Sequence, residues 1–181
     1  MPLTKLQSEG LNLADNFAFT GTVSGAGGGI TVYDQWRLTA DTNAGTNSTV
    51  ASNWERVDST GFAYLSGVSE SSGIFSFPST GHYLLLLCPR FRLYQGDYMY
   101  CQIEVTTNNS SYTQVSRAES VNLTTNSEEG FPGNAEYIVD VTDTSNVKVR
   151  LVTGSVDSNS RLRGSTSINM TSLTFIRLAD T

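Results

Sequence analysis

Gly73-Ile74-Phe75-Ser76-Phe77-Pro78-Ser79-Thr80-Gly81-His82-Tyr83-Leu84-Leu85-Leu86-Leu87-Cys88 is the stretch that decides the fold. Residues 74–77 read as a short strand, and the Pro/Gly-built segment 78–81 turns the chain. Residues 83–88 then run apolar on both faces, whereas one sandwich core covers a single face of a sheet. The last strand repeats the pattern, with Leu173 and Phe175 on one face and Ile176 and Leu178 on the other. A second cover must come from a loop, the N-terminal segment or another subunit. For a domain without helices another subunit is the economical choice, and Leu84, Leu86, Leu173 and Phe175 are the expected oligomer-interface residues.

Around this stretch the pattern is β throughout. No window of eleven or more residues carries a 3.6-residue apolar period, so almost no helix is expected. Val32, Trp36 and Leu38 alternate with Tyr33, Gln35 and Arg37, and Asp34 is the one polar interruption on the inner side. Met99, Cys101, Ile103 and Val105 alternate with Tyr98, Tyr100, Gln102 and Glu104, while Val147, Val149 and Leu151 alternate with Lys148 and Arg150. Each reads as a strand with one face on a core and one face wetter. Shorter strands are expected at 62–65, 112–118 and 137–141, with turns at 41–45, 69–73, 95–97, 108–111, 130–134 and 157–160. Many short antiparallel strands make a sandwich or barrel of a single domain over residues 30–181.

The 181 residues include only 15% charged side chains, with a net charge of −6. Their Lys and Arg residues are scattered along the sequence rather than clustered, which argues against nucleic acid as a partner. The longest apolar run falls far short of the roughly 18 residues a membrane span needs, so no membrane insertion is expected. The N-terminus lacks the apolar stretch of a signal peptide, which points to synthesis in the cytoplasm. Cys88 and Cys101 are expected on neighbouring strands as free, buried thiols, a disulfide being the alternative.

Residues 73–86 resemble the central signature of C1q/TNF-like domains, Gly-x-Phe-x-x-Pro-x-x-Gly-x-Tyr followed by an apolar strand. The resemblance implies an antiparallel jelly-roll β-sandwich of ten strands that associates as a homotrimer. Residues 1–6 and 13–23 look like the N-terminal segment of bacteriophage virion proteins, particularly fibres and head appendages. Residues 1–29 then read as an anchoring arm ending in the hinge Ser24-Gly25-Ala26-Gly27-Gly28-Gly29, with Leu6, Leu11, Leu13, Phe17 and Phe19 as candidate anchor residues. The bland reading of the same residues is a first strand docked on its own sandwich.

Chemistry-bearing constellations are few. A triad would have to use His82, the single histidine, which sits at a turn-to-strand junction. Seventeen acids supply close carboxylate pairs by chance, so no catalytic residue is assigned and the chain is read as a non-enzyme. The C1q/TNF resemblance admits calcium as an ion, with Asp140, Asp143 and Asp157 as ligands, although their spacing matches no dedicated calcium loop. Tyr98, Tyr100, Gln102 and Glu104, with Tyr94 and Tyr112 nearby, form either a carbohydrate platform or a plain strand-favouring surface. The expectation is a structural virion protein, a capsid decoration, head fibre or appendage contacting capsid or connector. Its alternative is a tail-fibre tip that recognises a host surface glycan.

Overall fold

The computed structural model describes residues 29–42, 45–94, 96–123, 129–156 and 159–181, and the anchor residues Leu6, Leu11, Leu13, Phe17 and Phe19 lie outside them. Two antiparallel sheets face each other. The first has five strands in the order β11 (Ala135–Val141), β6 (Gly81–Cys88), β14 (Ser172–Ala179), β1 (Tyr33–Leu38), β3 (Trp54–Arg56). The second runs β4 (Ser69–Ser71), β5 (Ile74–Ser76), β12 (Lys148–Gly154), β8 (Tyr98–Thr106), β9 (Thr113–Val121), with β2 (Ser48–Thr49) also on β12. A third, small sheet pairs β10 (Glu129–Pro132), β7 (Arg90–Leu93) and β13 (Arg161–Leu162). Among the described residues there is no helix.

The opening stretch performs the sandwich crossing. β5 lies in the second sheet and β6 in the first, and the 77–80 turn carries the chain between them. Phe75, Phe77 and Tyr83 point into the gap with Phe175, Trp36 and Trp54, their rings meeting edge-on or tilted at centroid distances of 4.6–6.0 Å. Such ring pairs add about 0.5–1.5 kcal/mol each beyond the area they bury. The Tyr83 hydroxyl, inside this apolar layer, donates to the Ser79 carbonyl at 3.0 Å and lies 2.9 Å from Ser79 Oγ, so the turn satisfies the strand's one polar tip. Gly81 has φ +137°, and a Cβ there would stand 2.5 Å from the Ala179 carbonyl oxygen. Only glycine combines that backbone with that closeness.

The alternations hold at their centres. Met99, Cys101 and Ile103 are fully buried, as are Val149 and Leu151. Asp34 is buried on the inner side, where its carboxylate accepts from Trp36 Nε1 at 3.1 Å and Arg56 Nε at 3.0 Å. Other expectations need correction. Residues 62–65 form no strand; Leu65 makes only an isolated bridge to Tyr33, because Tyr64 lies instead against the Arg56 guanidinium at 4.1 Å. Part of the 130–134 turn is strand β10, which takes up the unpaired edge of β7. Cys88 and Cys101 sit in different sheets, not on neighbouring strands, and both are free. Cys88 is exposed rather than buried, since it closes β6 on the outward side opposite Ser172.

Candidate functional site

Three outward surfaces carry the features a binding protein could use. The first is the outer face of the five-stranded sheet. Register places Ile138 and Ile176 on either side of Leu84, Glu136 and Thr174 beside Leu86, and Tyr33 beyond Ile176. Ile138 is 55% exposed, while Leu84, Leu86 and Ile176 are half-buried. At one end an apolar groove of about 310 Å³ runs between Ile30, Tyr33, Phe62 and Ile176. Leu84 and Leu86 thus face outward. Leu173 and Phe175 do not: they pair with Leu87 and Leu85, turn inward and are fully buried in the chain's own core. The outward residues of β14 are Thr174 and Ile176, joined near the strand's end by Leu178, which is 51% exposed, and a contact through that strand would use these.

The second surface is the outer face of β8 and β9. Tyr98, Tyr100, Gln102 and Glu104 do share it, but they are already engaged. The Arg117 guanidinium covers Tyr100 at 4.8 Å and pairs with Glu119 at 2.7 Å. Arg150 covers Tyr112 at 4.0 Å and pairs with Glu104 at 2.7 Å. A Cβ on Gly154 would fall inside the Tyr100 ring, so the tyrosine rests directly on that glycine. The Tyr98 hydroxyl donates to Glu119; burial, then this bond, hold its pKa above the usual phenol range. Ring faces spent on the chain's own guanidiniums offer a sugar little to stack on.

The third surface escaped the sequence reading. Arginines that are dispersed in sequence gather on the outer face of the three-stranded sheet. Strand alternation turns Phe91, Leu93 and Leu162 inward and leaves Arg90, Arg92, Arg161 and Arg163 outward and half-buried. Arg161 is the register partner of Arg92, and the Arg163 amide donates to the Arg90 carbonyl at 2.8 Å. The signal was present as Arg-Phe-Arg-Leu at 90–93 and Arg-Leu-Arg at 161–163, two period-two runs with a basic residue at their first and third positions.

The candidate chemical groups stay apart. His82 Nδ1 lies 2.9 Å from the Asp180 carbonyl, and Nε2 lies 3.8 Å from Asp140, both pairs near the surface. Asp143 is spent on its own turn: it accepts from the Ser145 amide at 2.7 Å and from the Asn146 side chain at 2.6 Å. The Ser145 amide bond is the main reason its pKa falls below the usual carboxylate range. Asp157 lies outside the described residues. Among the described residues no group of three or more His, Cys, Asp or Glu stands close enough to hold a metal ion. No helix among them is long and apolar enough to cross a membrane.

No family model and no curated protein matches this chain. Its solved neighbours include Eiger TNF from S. frugiperda, with a TM-score of 0.64 at 10% identity over 83% of this chain and 94% of that one. They also include murine APRIL at pH 5.0, with a TM-score of 0.60 at 14% identity over 81% and 98%. At such identities the likeness is one of fold. The chain is an all-β antiparallel jelly roll of the TNF- and C1q-like kind.

Proposed function

We propose that this protein is a non-enzymatic structural component of a phage particle, made in the host cytoplasm and displayed on the virion as a homotrimer. Residues 30–181 form the displayed domain, and residues 1–29 attach it to capsid or connector. The observation that carries the trimer is the open apolar face of the five-stranded sheet. Leu84, Leu86, Ile138 and Ile176 form a contiguous outward cluster on three adjacent strands. Covering a half-exposed aliphatic side chain contributes about 1 kcal/mol. Four such residues on each protomer supply a favourable term that a closed cyclic assembly uses in full.

The resemblance of residues 1–6 and 13–23 to virion attachment segments supports the arm. Three arms on one body bind multivalently, so a weak contact per arm still gives firm attachment. Among the described residues His82 and Asp143 are surface groups engaged with backbone and with their own turn, which supports a non-catalytic reading. The test has two parts. Sedimentation of the purified chain should give three times the 19.6 kDa chain mass, and Leu84→Glu with Ile138→Glu should give folded single copies. A wild-type protein that stays monomeric at about 100 µM, well above the micromolar range of weak assemblies, ends the trimer reading. Removing residues 1–29 should leave an oligomer that no longer decorates particles; continued decoration ends the anchor reading.

A further inference from the structure

The arginine face has an unusual electrostatic pattern. Arg37, Arg56, Arg117, Arg150 and Arg177 each pair with a carboxylate elsewhere in the molecule. Within the four-arginine face the only such partner among the described residues is Asp41, 3.3 Å from Arg92. Arg90, Arg161 and Arg163 have none there, although the protein is acidic overall. Cross-strand neighbours stand about 5 Å apart and like charges so placed destabilise a sheet. Arg163 Nε is also buried without a hydrogen-bond partner, which leaves a charged donor unsatisfied.

Beside these residues lies an open cleft of about 320 Å³. Arg90 and Arg163 edge it, and Pro132, Ile168 and Met170 give it an apolar wall. Asn169 also lines it; its Nδ2 is bonded to Gln35 at 2.7 Å, which turns the amide oxygen to other donors. Two planar guanidiniums match a carboxylate in bidentate fashion. The apolar wall suits the carbon face of a ring, and the amide oxygen suits a hydroxyl. An extended polyanion such as a nucleic acid would meet the repulsion of a molecule at −6, whereas a ligand with one localised charge meets only the arginines.

We propose that this cleft binds an acidic sugar of a glycan, its carboxylate on Arg90 and Arg163 and its ring against Pro132, Ile168 and Met170. The inference does not rest on the trimer or on the virion reading. Calorimetric titrations of the full chain would use a hyaluronan tetrasaccharide (uronic acid), 3′-sialyllactose (sialic acid), and cellotetraose and lactose as neutral counterparts. One acidic sugar should bind with a Kd near 1 mM or tighter and weaken as salt rises, and the neutral sugars should give no heat. Arg90→Gln with Arg163→Gln should weaken binding at least tenfold. Arg90→Lys with Arg163→Lys, which keeps the charge and loses the fork, should fall between. Arg117→Gln with Arg150→Gln, on the other sheet, should bind as wild type. The proposal is overturned if neither acidic sugar binds by about 10 mM, or if folded R90Q/R163Q binds unchanged. It is overturned equally if a tetra-aspartate peptide or inorganic sulfate displaces the sugar at the same concentration, or if R90Q/R163Q dissolves the oligomer, since the face would then serve a second copy.

Discussion

Arg37 tests most directly how this sheet is held, because the residue is charged, outward in register and yet fully buried. Its Nε donates to Glu55 at 2.7 Å, Nη1 to Ser59 Oγ at 2.7 Å, and Nη2 to Asp58 at 2.5 Å and to the Thr166 carbonyl. One side chain thereby ties β1 to β3, to the segment after β3 and to the loop before β14. Arg37→Met keeps the aliphatic bulk and removes all four bonds. Glu55 is 30% exposed and Asp58 76%, so water replaces much of what those carboxylates lose, and their share must be discounted. The Thr166 carbonyl and the Ser59 hydroxyl lose a charged donor, each at about 1–2 kcal/mol. The expected loss is about 3 kcal/mol, below the 3–5 kcal/mol typical of a wholly buried pair. Urea unfolding at fixed protein concentration would read it, and Tm should fall by roughly 6–12 °C for a domain of this size. Arg37→Lys should recover less than half, since a single ammonium cannot reach acceptors on three sides. An R37M protein within about 0.5 kcal/mol of wild type, in the range of ordinary surface changes, would refute the argument.

Two further predictions concern ionisable groups. Burial pushes the Cys101 thiol up to about 12, from an ordinary 9.0. The unfolded chain therefore gives up this proton first, and stability should fall as pH rises from 9 towards 12, by about 1.4 kcal/mol per unit. Cys101→Ala should flatten that limb of the stability curve, and an unchanged slope would contradict it. In the folded protein a thiol reagent should modify Cys88 within minutes and Cys101 only after unfolding, read by mass spectrometry; fast double labelling would count against the buried assignment. Asp143, with its lowered folded pKa, stabilises its turn above about pH 3.8 and loses that contribution as pH falls through the folded value. Asp143→Asn should leave acid unfolding less steep, and amide exchange at Ser145 should quicken at neutral pH.

Much of the fold was legible because period-two alternation reports burial wherever only one face is apolar. Residues 99–105 and 147–151 are such cases, and their inner residues came out buried. Where both faces are apolar the pattern names two faces and cannot say which turns inward. On β14 that choice is made by register with β6, which sets Leu173 opposite Leu87 and Phe175 opposite Leu85. A register shift between Arg177 and Ala179 then breaks the parity on which a linear reading relies. Arg37 was illegible for a different reason: a charge on the wet face is covered by acceptors 18 to 129 residues away.

The arginine face follows the same logic from the opposite side. Arg90 and Arg92 stand some 70 residues before Arg161 and Arg163, so no window of sequence contains both pairs. Their alternation with Phe91, Leu93 and Leu162 is nonetheless what a strand with a wet outer face requires, and two such strands with the same parity must present their cations together once they pair. Pro89, between β6 and β7, has no amide to continue the β6 ladder, and the chain leaves the five-stranded sheet there. The cation cluster is thus a consequence of two short alternations that pair. A chain with Pro89→Ala would keep Phe91 buried only by holding β7 on β13, so its arginine face should survive. Loss of sugar binding in a folded P89A protein would mean that the proline shapes the cleft wall rather than the strand.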